Sequence, residues 1–338
     1  MRARQTQEPG RPSHRLLLVI ASSAAMKTTR ALRKKLDNWK QKPIVAPGVH
    51  DPYCARIAEK LGFDTLYMGG AATSMSRLGM ADFGLATATE VHANAKYITN
   101  VTDLPLIADS DNGYGNALNT MRTVKDYIRA GVAGIHIEDQ IIPKRCGHLK
   151  GKMVVSLEEM VGKIKAAKKV IREEDPDFVL IARTDARGAV GGGLDDAVRR
   201  LKAYRRAGAD LVFADGLLSK EELATICRET AAPTVFHPTA ISPRLGVDEC
   251  HEMGVALMIY PFASIHASAV ATWDFLTQLK KEDTRAQVKF EQKYKDHPLS
   301  DLRKLFDLGG LKELQAYERE FIPAEEVKAK YGKLTVGI

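Results

Sequence analysis

One complete structural repeat can be read in the stretch Ala130-Gly131-Val132-Ala133-Gly134-Ile135-His136-Ile137-Glu138-Asp139-Gln140. Gly131 follows an amphipathic segment and is the residue type that commonly stops a helix. Residues 134–137 are mostly apolar and lack the alternation of a half-exposed strand, so we interpret them as a strand buried on both faces. Acidic residues follow the strand directly. This order predicts an α/β protein with a parallel sheet.

The same repeat recurs between residues 40 and 280. The candidate strands are Ile44–Pro47, Thr65–Met68, Leu106–Ala108, Gly134–Ile137, Phe178–Ala182, Leu211–Ala214, Thr234–Phe236 and Ala256–Tyr260. The helical patterns between them are Tyr53–Leu61, Glu90–Thr99, Ala117–Ala130, Leu157–Arg172, Leu194–Ala207, Lys220–Thr230 and Val247–Met253. Eight such strands predict a (β/α)8 TIM barrel with extra C-terminal helices, and a doubly wound open sheet is the alternative.

Three regions follow from this pattern. The barrel is expected to be a catalytic domain over residues 41–282. Residues 1–40 are predicted to be a basic N-terminal extension or leader, because they begin with an arginine-rich, acid-poor segment. A cytoplasmic location is expected, with the mitochondrial matrix as the alternative if that segment is a leader. Residues 283–338 are predicted to form a helical tail, with helices at Ser300–Phe306 and Leu311–Phe321.

Composition excludes several classes of protein. With 338 residues, of which 45% are hydrophobic and 27% charged, the chain can bury a large core. The net charge of +8 is not arranged as a basic stripe interleaved with aromatic residues, so no nucleic-acid partner is expected. No later apolar run approaches the roughly 18 residues that a membrane helix needs, so no membrane association is expected. The four cysteines are far apart, which favours neither a zinc site nor a disulfide framework.

Candidate site residues follow the predicted strands, where (β/α)8 barrels carry their active sites. These residues are Tyr67, Gly69, Gly70, Asp109, Asp111, Glu138, Arg183, Asp215, His237 and Thr239. The glycine pair is placed to bring backbone N–H groups to a carboxylate, or it is only a tight turn. Arg183 is placed to clamp a substrate carboxylate, or it forms a structural ion pair with Asp185.

Oxygen ligands for a cation are concentrated after two of these strands. Asp109 and Asp111 project to the same side if the strand continues. Together with Glu138 and Asp82 they predict an oxygen-rich site for a hard divalent cation, with Mg²⁺ as the first choice and Mn²⁺ as the alternative. The alternative for Asp109–Gly115 is a turn without a metal, because its sequence is also typical of loops.

A cysteine lies in a basic environment a few residues beyond Glu138, in Lys144-Arg145-Cys146-Gly147-His148. Positive neighbours favour the thiolate, so Lys144, Arg145 and His148 are expected to lower the pKa of Cys146 and to fit it for proton transfer. The alternative is a solvated basic loop without a catalytic role.

Six motifs, in this order, resemble the isocitrate lyase and phosphoenolpyruvate mutase superfamily. They are Tyr67-Met68-Gly69-Gly70, Leu78–Gly84, Asp109–Gly115, His136–Gln140, Lys144–His148 and Ala182–Ala186. The K-R-C-G-H loop is similar to the one in the carbon–carbon lyase branch, which includes 2-methylisocitrate lyase and 2,3-dimethylmalate lyase. One group of phosphonomutases, the carboxyphosphonoenolpyruvate mutases, carries this cysteine as well.

The resemblance implies a Mg²⁺-dependent carbon–carbon lyase. Its substrate would be a di- or tricarboxylate of the substituted malate or isocitrate type, cleaved to pyruvate or glyoxylate and a second carboxylic acid. It implies that Asp109 holds the metal, with Asp82, Asp111 and Glu138 acting mainly through metal-bound waters. Cys146, on a gate loop from Gln140 to about Lys152, would protonate the leaving carbanion. Tyr67 would handle the proton on the hydroxyl side.

Three positions depart from the lyase pattern: His237 stands where Asn is usual, Asp215 where Glu is usual, and Gly69 where Ser or Thr is frequent. They cluster where the second product would be held, so they bear on substrate identity. The alternatives are a phosphonomutase of the carboxyphosphonoenolpyruvate type, an oxaloacetate hydrolase and a catalytically silent binding protein. Relatives of this superfamily imply a homodimer or homotetramer that exchanges a C-terminal helix.

Overall fold

Eight parallel strands form one sheet in the computed structural model, which describes residues 28–147 and 149–332. The strands are β1 Ile44–Pro47, β2 Leu66–Met68, β3 Leu106–Asp109, β4 Gly134–Glu138, β5 Val179–Thr184, β6 Leu211–Ala214, β7 Thr234–Phe236 and β8 Val255–Tyr260. Neighbours pair in chain order from β2 to β8, and β8 pairs with β1. A parallel bridge between Gly48 and Tyr67 joins β1 to β2 and nearly closes the ring. The predicted barrel is confirmed, and the open sheet is wrong.

Helices cover the outside of the barrel and continue into the C-terminal region. They are α1 28–37, α2 Pro52–Lys60, α3 Gly70–Leu78, α4 Ala88–Thr99, α5 Ala117–Arg129, α6 Leu157–Glu174, α7 Leu194–Ala207, α8 Lys220–Thr230, α9 Val247–Met253, α10 Ala263–Glu282, α11 Thr284–Lys293, α12 Leu302–Leu308, α13 Leu311–Phe321 and α14 Ala324–Tyr331. The sequence predicts no separate helix at α1, α3 or α10. In α3 the reason is composition, because its glycine, serines and threonine are weak helix formers.

Two apolar layers hold the barrel together. One lies between the sheet and the outer helices, and the other fills the barrel interior. Leu32 and Leu36 of α1 are buried in the interior cluster, beside Ile44 and Leu257. Arg33 fastens the same helix through an ion pair with Asp210, with 2.8 Å between Nη1 and Oδ1. The predicted region boundaries at residues 40 and 282 stay predictions.

Helix α10 carries large apolar side chains that the described part of the chain leaves exposed. Val270, Trp273 and Leu276 are 50%, 75% and 53% exposed, and no residue of this 20-residue helix is buried. None of the helices formed by residues 28–332 combines the length and the apolar character that crossing a membrane requires.

Candidate active site

A small cavity lies at the carboxyl ends of the strands, where the sequence predicts the active site. The predicted site residues that line it are Tyr67, Gly69, Gly70, Asp82, Asp109, Lys144, Cys146, Arg183, Asp215 and His237. Asp111 and Glu138 are buried and contact two of these lining residues, because Asp111 pairs with Lys144 and Glu138 pairs with Arg183. The structure therefore brings acidic, basic and thiol groups to one place.

Asp109, at the end of β3, is held by backbone amides. Its Oδ2 accepts a hydrogen bond from the Gly70 amide (3.0 Å), and its Oδ1 accepts one from the Asp111 amide (2.9 Å). A Cβ atom on Gly70 would lie 2.9 Å from the same Oδ2, so glycine permits this approach. Burial alone would raise the pKa of Asp109, but the facing His136 and the Lys144 ammonium help to lower it to about 2. Asp109 is therefore ionised at neutral pH.

The Lys144 ammonium bridges two carboxylates. Its Nζ lies 2.7 Å from Oδ1 of Asp82 and 2.7 Å from Oδ1 of Asp111. Burial, together with the negative charges of Asp109 and Asp82, raises the pKa of Asp111 to about 6 even with Lys144 beside it. The sequence predicts a positive field from Lys144 at the neighbouring thiol, whereas the structure directs the ammonium itself toward the acids. A buried ammonium needs such direct partners.

Arg183, near the end of β5, is surrounded by acids. Its Nε and Nη2 lie 2.9 and 3.1 Å from the two carboxylate oxygens of Asp185, and Nη2 also lies 2.5 Å from Oδ2 of Asp215. Nε is 3.3 Å from Oε2 of Glu138, and the guanidinium carbon is 5.3 Å from the centre of the Phe213 ring. The ion pair with Asp185 is thus present, and the same guanidinium faces the cavity.

Asp215 and His237 form a pair in the cavity wall. Nε2 of His237 lies 2.7 Å from Oδ1 of Asp215. Burial alone would raise the pKa of Asp215, but the charge of Arg183 and the hydrogen bond with His237 hold it well below its ordinary value. The His237 ring packs edge-on against Phe213, with 5.3 Å between ring centres.

His136, on β4, belongs to the site although the sequence-based predictions assign it no role. Its Nε2 lies 2.7 Å from the hydroxyl oxygen of Tyr67, and its Nδ1 lies 3.6 Å from Oδ1 of Asp109. Burial lowers the pKa of His136 to about 4, so the imidazole is neutral at pH 7. Strand alternation could have predicted that His136 belongs to the site. His136 and Glu138 are two positions apart, so their side chains point to the same side of β4.

The thiol loop, residues 140–152, is tied to other elements. The Cys146 amide donates a hydrogen bond to the Asp82 carbonyl (3.1 Å). A Cβ atom on Gly147 would lie 1.5 Å from Oδ2 of Asp215, so the loop backbone packs directly against that carboxylate. These contacts hold Cys146 at the cavity.

Two predicted residues lie away from the cavity. Arg145 is exposed, and its Nη1 donates a hydrogen bond to a loop carbonyl. Thr239 accepts hydrogen bonds from the amides of Ile241 and Ser242, so its hydroxyl shapes a turn. His148 lies outside the described residues.

Residues 32–279 match a family model described as phosphoenolpyruvate phosphomutase. The chain belongs to the phosphoenolpyruvate mutase/isocitrate lyase superfamily. The 2,3-dimethylmalate lyase of Eubacterium barkeri is 44% identical over 265 residues, which cover 78% of this chain and 90% of the relative. The 2-methylisocitrate lyase of Aeropyrum pernix is 42% identical over 247 residues, which cover 72% of this chain and 78% of the relative. The superfamily predicted from the motifs is confirmed, and the chain is a carbon–carbon lyase of it.

Solved structures of the superfamily share the fold over nearly their whole length. A 2,3-dimethylmalate lyase has a TM-score of 0.79 at 35% identity, with 91% of this chain and 99% of that chain covered. An oxaloacetate acetylhydrolase bound to 3,3-difluorooxalacetate has a TM-score of 0.78 at 38% identity, with 87% and 97% covered. A phosphonopyruvate hydrolase bound to oxalate and Mg²⁺ has a TM-score of 0.77 at 29% identity, with 88% and 99% covered.

The acidic side of the cavity in this superfamily member fits a divalent cation. Among the charged residues that line the cavity or form ion pairs with its lining, carboxylates outnumber ammonium and guanidinium groups. The acids are Asp82, Asp109, Asp111, Glu138, Asp185 and Asp215, and the bases are Lys144, Lys152 and Arg183. Oε1 of Glu138 is buried and has no hydrogen-bond partner among the described residues. Burial, with nearby carboxylates, raises the pKa of Glu138 well above its ordinary value. An all-oxygen donor set with excess negative charge suits Mg²⁺.

Proposed function

We propose that this chain is a Mg²⁺-dependent lyase that cleaves a substituted malate or isocitrate-type 2-hydroxy acid. The products would be pyruvate or glyoxylate and a second carboxylic acid, with Cys146 as the proton donor. One observation carries the proposal: Cys146 lines the same cavity as Asp109 on the acidic side and as Arg183 and His237 on the other. Two lyase relatives at 44% and 42% identity support the reaction class.

Asp109 would hold the metal, with Asp82, Asp111 and Glu138 around it. The ion would supply stabilisation of the negative charge that develops on substrate oxygens. Gly70 contributes by fixing the Asp109 carboxylate through its amide. Mn²⁺ fits the same oxygen donors and is the alternative.

Tyr67 and His136 would take the proton from the substrate hydroxyl. Burial and the charge of Asp109 raise the pKa of Tyr67 well above its ordinary value, so the phenol keeps its proton at neutral pH. Nδ1 of His136 faces Asp109, which favours a proton on that nitrogen and leaves Nε2 to accept one. The substrate hydroxyl would pass its proton to the Tyr67 oxygen while Tyr67 passes its own to Nε2 of His136.

Cys146 would complete the reaction on the other fragment. When the carbon–carbon bond breaks, its electron pair moves to the carbon beside the departing carboxylate, and the thiol of Cys146 protonates that carbon. Arg183 and the Asp215–His237 pair, which line the same cavity, would bind this carboxylate-bearing fragment. Proton exchange with solvent then moves the proton from His136 to the Cys146 thiolate, so protons balance over one turnover.

A substrate panel tests the reaction directly. Isocitrate, 2-methylisocitrate and 2,3-dimethylmalate are incubated with the protein and Mg²⁺, and 2-oxo acid release is followed by coupled dehydrogenase reduction. Turnover of at least one hydroxy acid, abolished by EDTA and restored by Mg²⁺, is expected. Absence of turnover on the whole panel would contradict the proposal.

Oxaloacetate hydrolysis is the second candidate. The Asp215–His237 pair, with 2.7 Å between Oδ1 and Nε2, is an arrangement that can deprotonate a water molecule. Similarity to an oxaloacetate acetylhydrolase at 38% identity favours the same option. Adding oxaloacetate to the panel and measuring oxalate by chromatography distinguishes the two, because a lyase of hydroxy acids forms no oxalate from it.

We also propose that the chain assembles as a homodimer or homotetramer that exchanges a C-terminal helix. The exposed Val270, Trp273 and Leu276 of α10 support this proposal, because large apolar side chains in such numbers commonly mark an interface. Analytical ultracentrifugation is expected to find an oligomer that Trp273→Glu weakens. A monomer at micromolar concentration would contradict it.

A further inference from the structure

Lys152 is a buried charged residue at the end of the thiol loop. Its side chain is 2% exposed, and a lysine so placed must be fully paired. Nζ lies 2.5 Å from the carbonyl oxygen of Gly147 and 2.9 Å from Oδ1 of Asp185. One ammonium therefore donates to the tip of the loop and to an acid that follows β5.

Asp185 is the carboxylate that contacts Arg183 through both of its oxygens. Both of its oxygens accept hydrogen bonds from the guanidinium, at 2.9 and 3.1 Å. Its own amide donates to Oδ1 of Asp139 (2.9 Å), which fixes the backbone. The acid bonded to Lys152 thus helps Asp215 and Glu138 to set the geometry of the cation that faces the cavity.

Gly147 is the other partner, and it directly follows Cys146. The glycine backbone presses against Oδ2 of Asp215, the same oxygen that contacts Nη2 of Arg183. Movement of Gly147 away from this position would carry the thiol away from the cavity. The Lys152–Gly147 bond therefore opposes that movement.

Lys152 itself belongs to the fixed base of the loop. Its carbonyl accepts a hydrogen bond from the Val190 amide (2.9 Å), and a backbone bridge joins Gln140 to Val154 on either side of the loop. If the tip opens, Lys152 can keep its bond to Asp185 and lose only the bond to Gly147. The Lys152 ammonium would then stay bound to Asp185 while the tip of the loop moves.

We propose that Lys152 is a positioning residue that couples the tip of the thiol loop to Asp185, the carboxylate that also contacts Arg183. The proposal rests on the proposed function, because it concerns the same cavity and the same proton donor. Its consequence is that Cys146 stays at the cavity only while Lys152 bridges Gly147 and Asp185. If Lys152 only neutralised buried Asp185, its loss would lower stability without changing how oxalate protects Cys146.

Lys152→Met tests the coupling, with exposed Lys150→Met as the matched control. The first readout is the rate at which iodoacetamide alkylates Cys146, followed by peptide mass spectrometry with and without Mg²⁺ plus oxalate. We expect oxalate to slow alkylation at least about 10-fold in wild type and in Lys150→Met. In Lys152→Met the slowing is expected to be less than about 2-fold, while calorimetry still detects oxalate binding.

Peptide mass spectrometry distinguishes alkylation of Cys146 from alkylation of the other thiols. Burial raises the pKa of these thiols to about 12 for Cys54 and about 11 for Cys227 and Cys250, so they react slowly and serve as internal references.

The second readout is the division between kcat and KM on a panel substrate. Arg183 keeps both bonds to Asp185 in Lys152→Met, so KM is expected to change less than about 3-fold. Because the thiol is misplaced, kcat is expected to fall about 100-fold. A structural role would lower the melting temperature and leave the oxalate effect intact.

Equal oxalate protection in Lys152→Met and Lys150→Met overturns the proposal, and so does absence of protection in wild type. If Lys152→Met does not fold, Lys152→Gln, whose side chain is shorter and carries no charge, decides through its reduced protection. If wild type turns over no panel substrate, the proposed function fails, while the alkylation result still decides the role of Lys152.

Discussion

The backbone amide of Cys146 donates a hydrogen bond to the backbone carbonyl of Asp82, with 3.1 Å between N and O. The thiol loop is thereby joined to the segment that carries a candidate metal ligand. Lys144 strengthens the same junction through its ion pair with Asp82, and its backbone lies against Gly84, where a Cβ atom would be 3.1 Å from the Lys144 nitrogen. The proton donor and the acidic cluster therefore occupy one connected unit.

Gly147→Ala is expected to prevent closure of the thiol loop. The new methyl group would lie 1.5 Å from Oδ2 of Asp215, a distance that no relaxation of a buried, ion-paired carboxylate accommodates. We expect kcat/KM to fall about 100-fold with little change in melting temperature, because the loop can open to relieve the clash. Gly162→Ala in α6 is the control: its Cβ meets nothing within 4 Å, and helix propensity predicts a gain of about 0.5–1 kcal/mol in stability.

Asp109→Asn is expected to weaken Mg²⁺ binding by about 100-fold or more. The substitution removes the charge of a carboxylate that is ionised at neutral pH and anchored by the Gly70 amide. Isothermal calorimetry with Mg²⁺ measures the effect, and Asp126→Asn on α5 is the control. Unchanged Mg²⁺ affinity in Asp109→Asn would place the metal elsewhere.

Tyr67→Phe is expected to lower kcat about 100-fold or more, because the hydroxyl that contacts Nε2 of His136 is lost. The ring stays stacked on His136, so folding should be preserved. Exposed Tyr97→Phe is the control and should match wild type. Wild-type kcat in Tyr67→Phe would exclude the proposed proton path.

Asp210→Asn is expected to destabilise the protein by about 2 kcal/mol at neutral pH, because the ion pair with Arg33 of α1 is lost. Burial alone would raise the pKa of Asp210, but its bonds to Arg33 and the charge of Lys168 lower it. The stabilisation is therefore full above about pH 4 and is lost as the pH falls through the depressed pKa.

Urea unfolding at pH 7 and pH 3 measures this difference, with exposed Asp37→Asn as the control. The difference in free energy of unfolding between wild type and Asp210→Asn should be smaller at pH 3 than at pH 7, provided both proteins remain folded. An equal difference in free energy of unfolding at both pH values would show that the difference does not come from the charge of Asp210.

Most of the barrel follows from local sequence. The strand Thr234–Phe236 and the helix Leu194–Ala207 have the predicted bounds, because buried apolar runs and glycine stops are encoded by neighbouring residues. Helix α3 is different, since weak helix formers depend on long-range partners, among them Asp109, which accepts from the Gly70 amide.

The partners of the charged residues could be predicted only in part. Residues at strand ends converge because the fold dictates it, which is why Asp109 and Arg183 share a cavity. The target of Lys144 was not predictable in this way, because Asp82 and Asp111 are distant in sequence and the adjacent thiol offered a local explanation. The bond from Lys152 to Asp185 spans 33 positions and carries no motif.

The central claim is that Cys146 donates the proton in carbon–carbon cleavage. The most direct measurement is kcat/KM of Cys146→Ser for release of a 2-oxo acid from the best panel substrate with Mg²⁺. Cys54→Ser, which changes a half-buried thiol outside the cavity, is the matched control. We predict a loss of at least about 100-fold in Cys146→Ser and wild-type activity in Cys54→Ser. A Cys146→Ser enzyme within about 2-fold of wild type would contradict the account.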